Sequence, residues 1–143
     1  MDKYAEFDLP LDTMWSDIDY LDRYRDFTFD PVNFKGLADL VNSLHDKNMK
    51  YIPIIDAGIA KRQNSDYAAY NQGVEKDVFI KASTGDDFVG RVWPGDAVYP
   101  DFMAEKTVQW WKDQLTSLYN TIKFDGLWED MNEASNFCNG ACY

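Results

Sequence analysis

FDGLWEDMNEASNF, residues 124–137, carries an apolar run, Gly126-Leu127-Trp128, straight into Glu129, Asp130 and Glu133. An isolated carboxylate is costly to bury. A cluster of carboxylates ending such a run therefore sits at a solvated end of an element, or it does chemistry. The length and flanks of residues 124–130 suit a buried strand better than a helix.

Working outward, KYIPIID (50–56) is the clearest second strand, a β-rich run that follows a turn signal at Asp46 to Asn48. LPLDTMWSDID (9–19) reads as another strand. Two helical patterns lie between them. Phe34, Leu37, Leu40, Val41 and Leu44 share one face, with Asp30 or Asn33 as cap, Pro31 near the first turn and Asn48 as a stop. Val108, Trp111, Leu115, Leu118 and Ile122 form the other face, with Thr107 or Asp101 near its start and Trp111 pointing inward. The order is βαβαβ, which favours a parallel sheet. Residues 58–103 read as an elaborated loop after the second strand that carries a small hairpin.

Composition narrows the function. The 143 residues are 45% hydrophobic and 16% aromatic, so the chain can bury a core. Asp plus Glu number 25 against 14 Lys plus Arg, with no basic tract, which argues against nucleic acid as a partner. No apolar run approaches the ~20 residues of a membrane span. Cys138 and Cys142, spaced C-x3-C, make a poor zinc site with only His45 to help, whereas a disulfide suits them, each to the other or to a partner elsewhere. His45, at the end of an apolar stripe, reads as a surface residue. Arg23 and Arg25 read as local ion-pairing groups and Asp86-Asp87 as a turn.

The strand ends then align. Asp17 and Asp19, Asp56, and Asp130 each close a strand at its C-terminal end, where α/β folds place their sites. Alternation puts Trp15 with Asp17 and Asp19, Ile52 and Ile54 with Asp56, and Gly126 and Trp128 with Asp130. Aromatic faces beside carboxylates suit a sugar. Asp clusters also suit Mg²⁺ or Ca²⁺, but nothing here has the spacing of a calcium loop.

GLWEDMNEASNF resembles the signature of glycoside hydrolase family 31, the α-glucosidases. PLDTMWSDIDYLDRYRDFTFDPVNF, YIPIIDAGIA and GRVWPGDAVYPDF resemble further family segments, in the family's order, and together they span nearly the whole chain. The resemblance implies part of a (β/α)8 TIM barrel, with residues 58–103 as a long active-site loop. It implies a retaining α-glucosidase that releases glucose from the non-reducing end of α-linked oligosaccharides, without cofactor or metal. Carried over by position, Asp130 is the nucleophile and Glu133 its supporting acidic partner. Asp17, Ile54 and Asp56 bind the cleaved glucose, and Trp93, Trp128 and Met131 form its apolar wall. Glu129 faces the other way. In the family the acid/base Asp, an Arg and a His lie further downstream, so the chain reads as a fragment that is inactive alone and whose partner is the remainder of its barrel. The alternative is a sugar-binding or inactive remnant. Cys138 and Cys142 resemble the NFC…C of secreted and lysosomal-type members, which favours a secretory, lysosomal or extracellular setting.

Overall fold

A computed structural model describes residues 1–61 and 66–142. A short helix α1 (Asp2–Glu6) precedes strand β1 (Thr13–Ser16); helix α2 (Leu37–His45) then leads to β2 (Lys50–Asp56). Next come β3 (Ile59–Ala60), α3 (Ala68–Glu75), β4 (Val89–Val92) and β5 (Gly95–Val98), then the long helix α4 (Glu105–Thr121) and β6 (Trp128–Asp130).

β1, β2 and β6 form a parallel sheet in the order β1-β2-β6, joined in register Trp15 to Ile52 and Asp56 to Asp130. The βαβαβ order expected from the sequence is therefore the fold, and the sheet does not close into a barrel among the described residues. Its core gathers Val41 and Leu44 of α2 and Leu118 of α4 with Tyr51 and Ile55 of β2, and Ile54 of the other face is equally buried. Each large apolar side chain fully withdrawn from water there contributes about 1.5–3 kcal/mol. α2 begins after Gly36 rather than at Phe34, and Asp30 instead caps the turn before it through the Val32 and Asn33 N–H groups. Asn48 takes the left-handed conformation, φ +57°, just past the helix, as a stop requires.

Two strands are shorter than the sequence suggests. β1 stops at Ser16 because the Asp17 carboxylate accepts the Ile18 N–H at 2.7 Å and starts a 3₁₀ turn, Ile18–Tyr20. Asp19 lies in that turn and so leaves the strand alternation it was expected to share with Trp15 and Asp17. β6 begins only at Trp128; ahead of it Asp125 meets β2 twice, its N–H donating to the Tyr51 carbonyl and its Oδ2 accepting the Tyr51 N–H.

The segment 58–103 is built rather than irregular. β3, β5 and β4 form an antiparallel sheet, β4 and β5 being the expected hairpin. With α3 they enclose a second core of Ile59, Tyr67, Tyr70, Val78, Phe79, Val98 and Trp110. Positions 62–65 of this segment, and Tyr143, lie outside the described residues. Asp87 pairs with Lys81 at 2.6 Å, and the Asp86 carboxylate accepts from the Thr84 hydroxyl within the 83–87 turn.

The second core corrects the reading of α4. Its buried face is Thr107, Trp110, Gln114 and Leu118, while Val108 is 58% exposed. Trp110, not Trp111, is the wholly buried indole. The helix serves two cores, so no single stripe describes it. Trp111 lies at their border, edge-on to Phe27 and Phe102.

Asp125 ties the sheet at the end opposite the carboxylates. Its Oδ2 accepts the Tyr51 N–H at 2.9 Å and lies 2.8 Å from His45 Nε2, and its Oδ1 accepts from Lys50 Nζ at 3.2 Å. His45 is thus a bonded part of the fold rather than a free surface group. Burial opposes ionisation of Asp125, but the Tyr51 N–H, His45 and Lys50 outweigh it and hold the carboxyl below its ordinary range. A lowered carboxylate stabilises above its unfolded pKa, and the effect is lost as pH falls through the lowered value. Asp125→Ala should cost about 1–3 kcal/mol in urea unfolding at neutral pH. An unchanged midpoint would show the ties to be idle.

Candidate active site

The site lies where β1, β2 and β6 end. Each strand delivers one carboxylate for a local reason. Asp17 follows the last residue of β1 and caps the turn that takes the chain away. Asp56 ends β2 at 4% exposure. Asp130 ends β6, in register with Asp56 on the neighbouring strand. Glu133 follows in the exposed turn beyond it.

The Asp56 carboxyl is pushed up to about 7 by burial first, then by the charges of Asp130, Asp17 and Glu133. Its Oδ1 is buried with no hydrogen-bond partner among the described residues. A buried acceptor left unpaired is costly, and a ligand hydroxyl would satisfy it. The linkage sign is fixed. Between an unfolded value near 4 and a folded value near 7, the native state holds a proton that the unfolded state lacks, so stability falls as pH rises through that window. Asp56→Asn should remove this decline, seen as a flatter melting-temperature profile from pH 4 to 8. Parallel profiles for the two proteins would contradict the burial argument.

The aromatic residues divide into two groups. Trp15 and Trp128 meet edge-to-face, ring centroids 5.3 Å apart, and with Thr13 and Ile52 they line an open hollow of about 340 Å³ on one face of the sheet. A Cβ at Gly126 would come within 3.1 Å of Ile52 Cδ1, a tight contact with the end of that side chain. Trp93, 48% exposed, sits in the β4–β5 turn against Phe137, centroids 5.1 Å apart. The two are neighbours because the Phe137 N–H donates to the Arg91 carbonyl, and Asn136 Oδ1 accepts the Arg91 N–H. The chain after β6 thereby docks on the hairpin, and the Cys138–Cys142 disulfide closes the docked loop.

Of the remaining predicted residues, Ile54 is only 2% exposed, beneath the site, and its carbonyl accepts from the Tyr20 hydroxyl. Met131 leaves β6 in the left-handed conformation, φ +62°, and is partly buried. Glu129 lies on the opposite parity from Trp128 and Asp130, paired with Ile55. Arg23 and Arg25 both pair with Asp22, and Arg25 also stacks on Tyr67. Two residues went unnoticed in the sequence, Phe137 and Asp26. Phe137 shares an apolar–polar stretch with no period. Asp26 is 2% exposed, and the signal for it was an acidic residue set directly against the apolar alternation of FTF.

A larger hollow of about 590 Å³ lies on the insertion, with Tyr70, Asp87 and Cys142 in its wall. None of the strand-end carboxylates lines it, so the chemistry favours the sheet end. Among the described residues no three His, Cys, Asp or Glu side chains converge to hold a metal ion.

Fold and site together define a segment of a parallel α/β barrel with a carboxylate site at the C-terminal ends of its strands. The chain matches the glycosyl hydrolases family 31 TIM-barrel domain over residues 1–143, and it belongs to that family. It is 42% identical to glucoamylase 1 of Candida albicans over 149 aligned residues, covering 99% of this chain and 16% of that protein. It is also 42% identical to α-xylosidase 1 of Arabidopsis thaliana, covering 99% of this chain and 15% of that one. The crystal structure of a glucosidase II α subunit, DNJ-bound, superposes with a TM-score of 0.87 at 32% identity over 98% of this chain and 15% of that one. The chain thus spans about one sixth of the length of the curated relatives it matches.

Proposed function

We propose that this chain supplies one side of the active site of a retaining α-glucosidase, with Asp130 as nucleophile. The observation that carries the reading is the register of Asp130 with a buried Asp56 whose carboxyl is raised to about 7, with Asp17 and Glu133 close enough to act on it. Asp130 attacks the anomeric carbon, forming a covalent glycosyl ester as the bond to the leaving oxygen breaks. An acid on the remainder of the barrel protonates that oxygen, and the same group later takes a proton from the water that frees the sugar. Asp17 and Asp56 bind the glucose hydroxyls, with Glu133 supporting Asp130. Trp93, Trp128 and Met131 wall the sugar, above Ile54. The insertion 58–103 shapes the active site, because it carries Trp93.

The need for the remainder of a barrel is supported by the open Trp15–Trp128 face and by exposed Val108 and Met103 along α4 and its entry. Relatives that include an α-xylosidase leave the sugar to be tested. The test is covalent trapping in the complete barrel protein. A fluorinated α-glucosyl fluoride, which forms the ester faster than it loses it, should add its sugar mass to the peptide holding Asp130. Labelling of another carboxylate, or binding with no label at all, would overturn the nucleophile assignment, and the second result would favour a sugar-binding role.

A further inference from the structure

The β1 edge of the sheet ends early, and two side chains take over its work. β1 pairs with β2 only as far as Ser16 to Pro53. Residues 54–56 of β2 continue without a β1 partner. In a strand, the C=O of one residue and the N–H of the residue two further on point to the same side. The Ile54 carbonyl and the Asp56 N–H therefore both face the space that β1 has vacated. Ile54 O accepts the Tyr20 hydroxyl at 2.9 Å, and the Asp56 N–H donates to Asp26 Oδ1 at 2.8 Å. Tyr20 is 0% exposed and Asp26 2%. The loop after β1 has replaced two backbone ladder bonds with two buried side-chain bonds.

We infer that Asp26 is a positioning residue of the site: by accepting the Asp56 N–H it fixes the last residue of β2, and with it the direction of the Asp56 carboxyl. This rests on the proposed role of Asp56 in binding the sugar. Three further features agree. The Asp26 carbonyl accepts the Tyr67 hydroxyl at 3.0 Å, so the same residue is clamped from the insertion. Arg25, the adjacent cation, bonds to Asp22 and Asp66 and stacks on Tyr67. It therefore does not serve as a counter-ion to Asp26. Burial then pushes the Asp26 carboxyl well above its ordinary range, with the Asp56 charge adding to the rise against the pull of the Asp56 N–H. A neutral acid still accepts a hydrogen bond, which is all the edge requires.

The test uses the complete barrel protein. Asp26→Asn keeps an oxygen that can accept the Asp56 N–H, and Asp26→Leu removes it while keeping the branched shape. Asp26→Asn should keep kcat/KM within about threefold, whereas Asp26→Leu should lower it about 100-fold, chiefly through KM. Hydrogen exchange of the Asp56 amide should be slow in the wild type and Asp26→Asn, and fast in Asp26→Leu. The amide readout does not need turnover, so it decides the Asp26 bond even if the α-glucosidase reading fails. Should Asp26→Leu not fold, Tyr20→Phe removes only the hydroxyl at the same edge and should lower kcat/KM about tenfold. A protected Asp56 amide in Asp26→Leu, or wild-type kinetics in the folded variant or in Tyr20→Phe, would overturn the inference. So would loss of activity in Asp26→Asn as deep as in Asp26→Leu.

Discussion

Asp130→Ala in the complete barrel protein should lower kcat on an aryl α-glucoside by about 10⁴-fold or more while the protein remains folded. The size follows from the chemistry. Without the carboxylate there is no covalent intermediate, and an oxocarbenium-like centre faces the void that Asp130 left. The side chain is exposed at a strand end, so its removal opens no cavity in either core. Glu129→Ala is the matched control. It lies one residue away with the opposite parity, and should stay within a few-fold of the wild type. Azide offers a sharper check. A small anion entering the vacated space should restore turnover and give a glycosyl azide of inverted configuration. A second consequence is electrostatic. Asp130 heads the charges that raise Asp56, after burial, so the Asp56 pKa should fall from about 7 in the variant yet stay above an ordinary aspartate. Undiminished turnover in Asp130→Ala would sink the assignment.

Much of this site was legible because strands write their direction into the chain. KYIPIID was readable to the residue, since a β-rich run bounded by a turn and a carboxylate has one reading. The ends of β1 and β6 were not. Side chains bond backbone at both places, Asp17 to Ile18 and Asp125 to Tyr51, and a carboxylate's choice of partner has no signature in a pattern of polarity. The placement of Asp17, Asp56 and Asp130 at neighbouring strand ends was legible because each closes a parallel strand. Asp26 was not, because its partner is an amide 30 positions away that only topology brings near. The insertion was legible as a length and as a hairpin, but its core was not. Ile59, Tyr67, Val78 and Val98 are dispersed over short elements, none of which shows a period long enough to read.

The same limit produces the largest stability effect expected in the molecule. Trp110→Ala should cost about 3–5 kcal/mol, a large share of the about 5–15 kcal/mol that holds a domain. Trp110 is 0% exposed and stands edge-on to Phe27 and Phe79, centroids 6.2 and 5.8 Å away, inside the core that joins α4 to the insertion. Its loss leaves a cavity bounded by groups on separate elements. Phe27 belongs to the loop after β1, Phe79 follows α3, and Val98 ends β5, so no single shift can fill the space. Trp111→Ala should cost less, because that ring is partly in water and gives up only edge contacts with Phe27 and Phe102. The periodicity of the sequence ranks the two tryptophans the other way, so the pair discriminates directly. Trp110→Phe separates volume from polarity. The Trp110 indole N–H is buried with no partner among the described residues, so the smaller ring gives back part of that desolvation cost and should lose less than alanine. Urea unfolding of the three variants measures all of this. A Trp111→Ala midpoint below that of Trp110→Ala would mean that α4 packs by its Val108–Trp111 stripe after all.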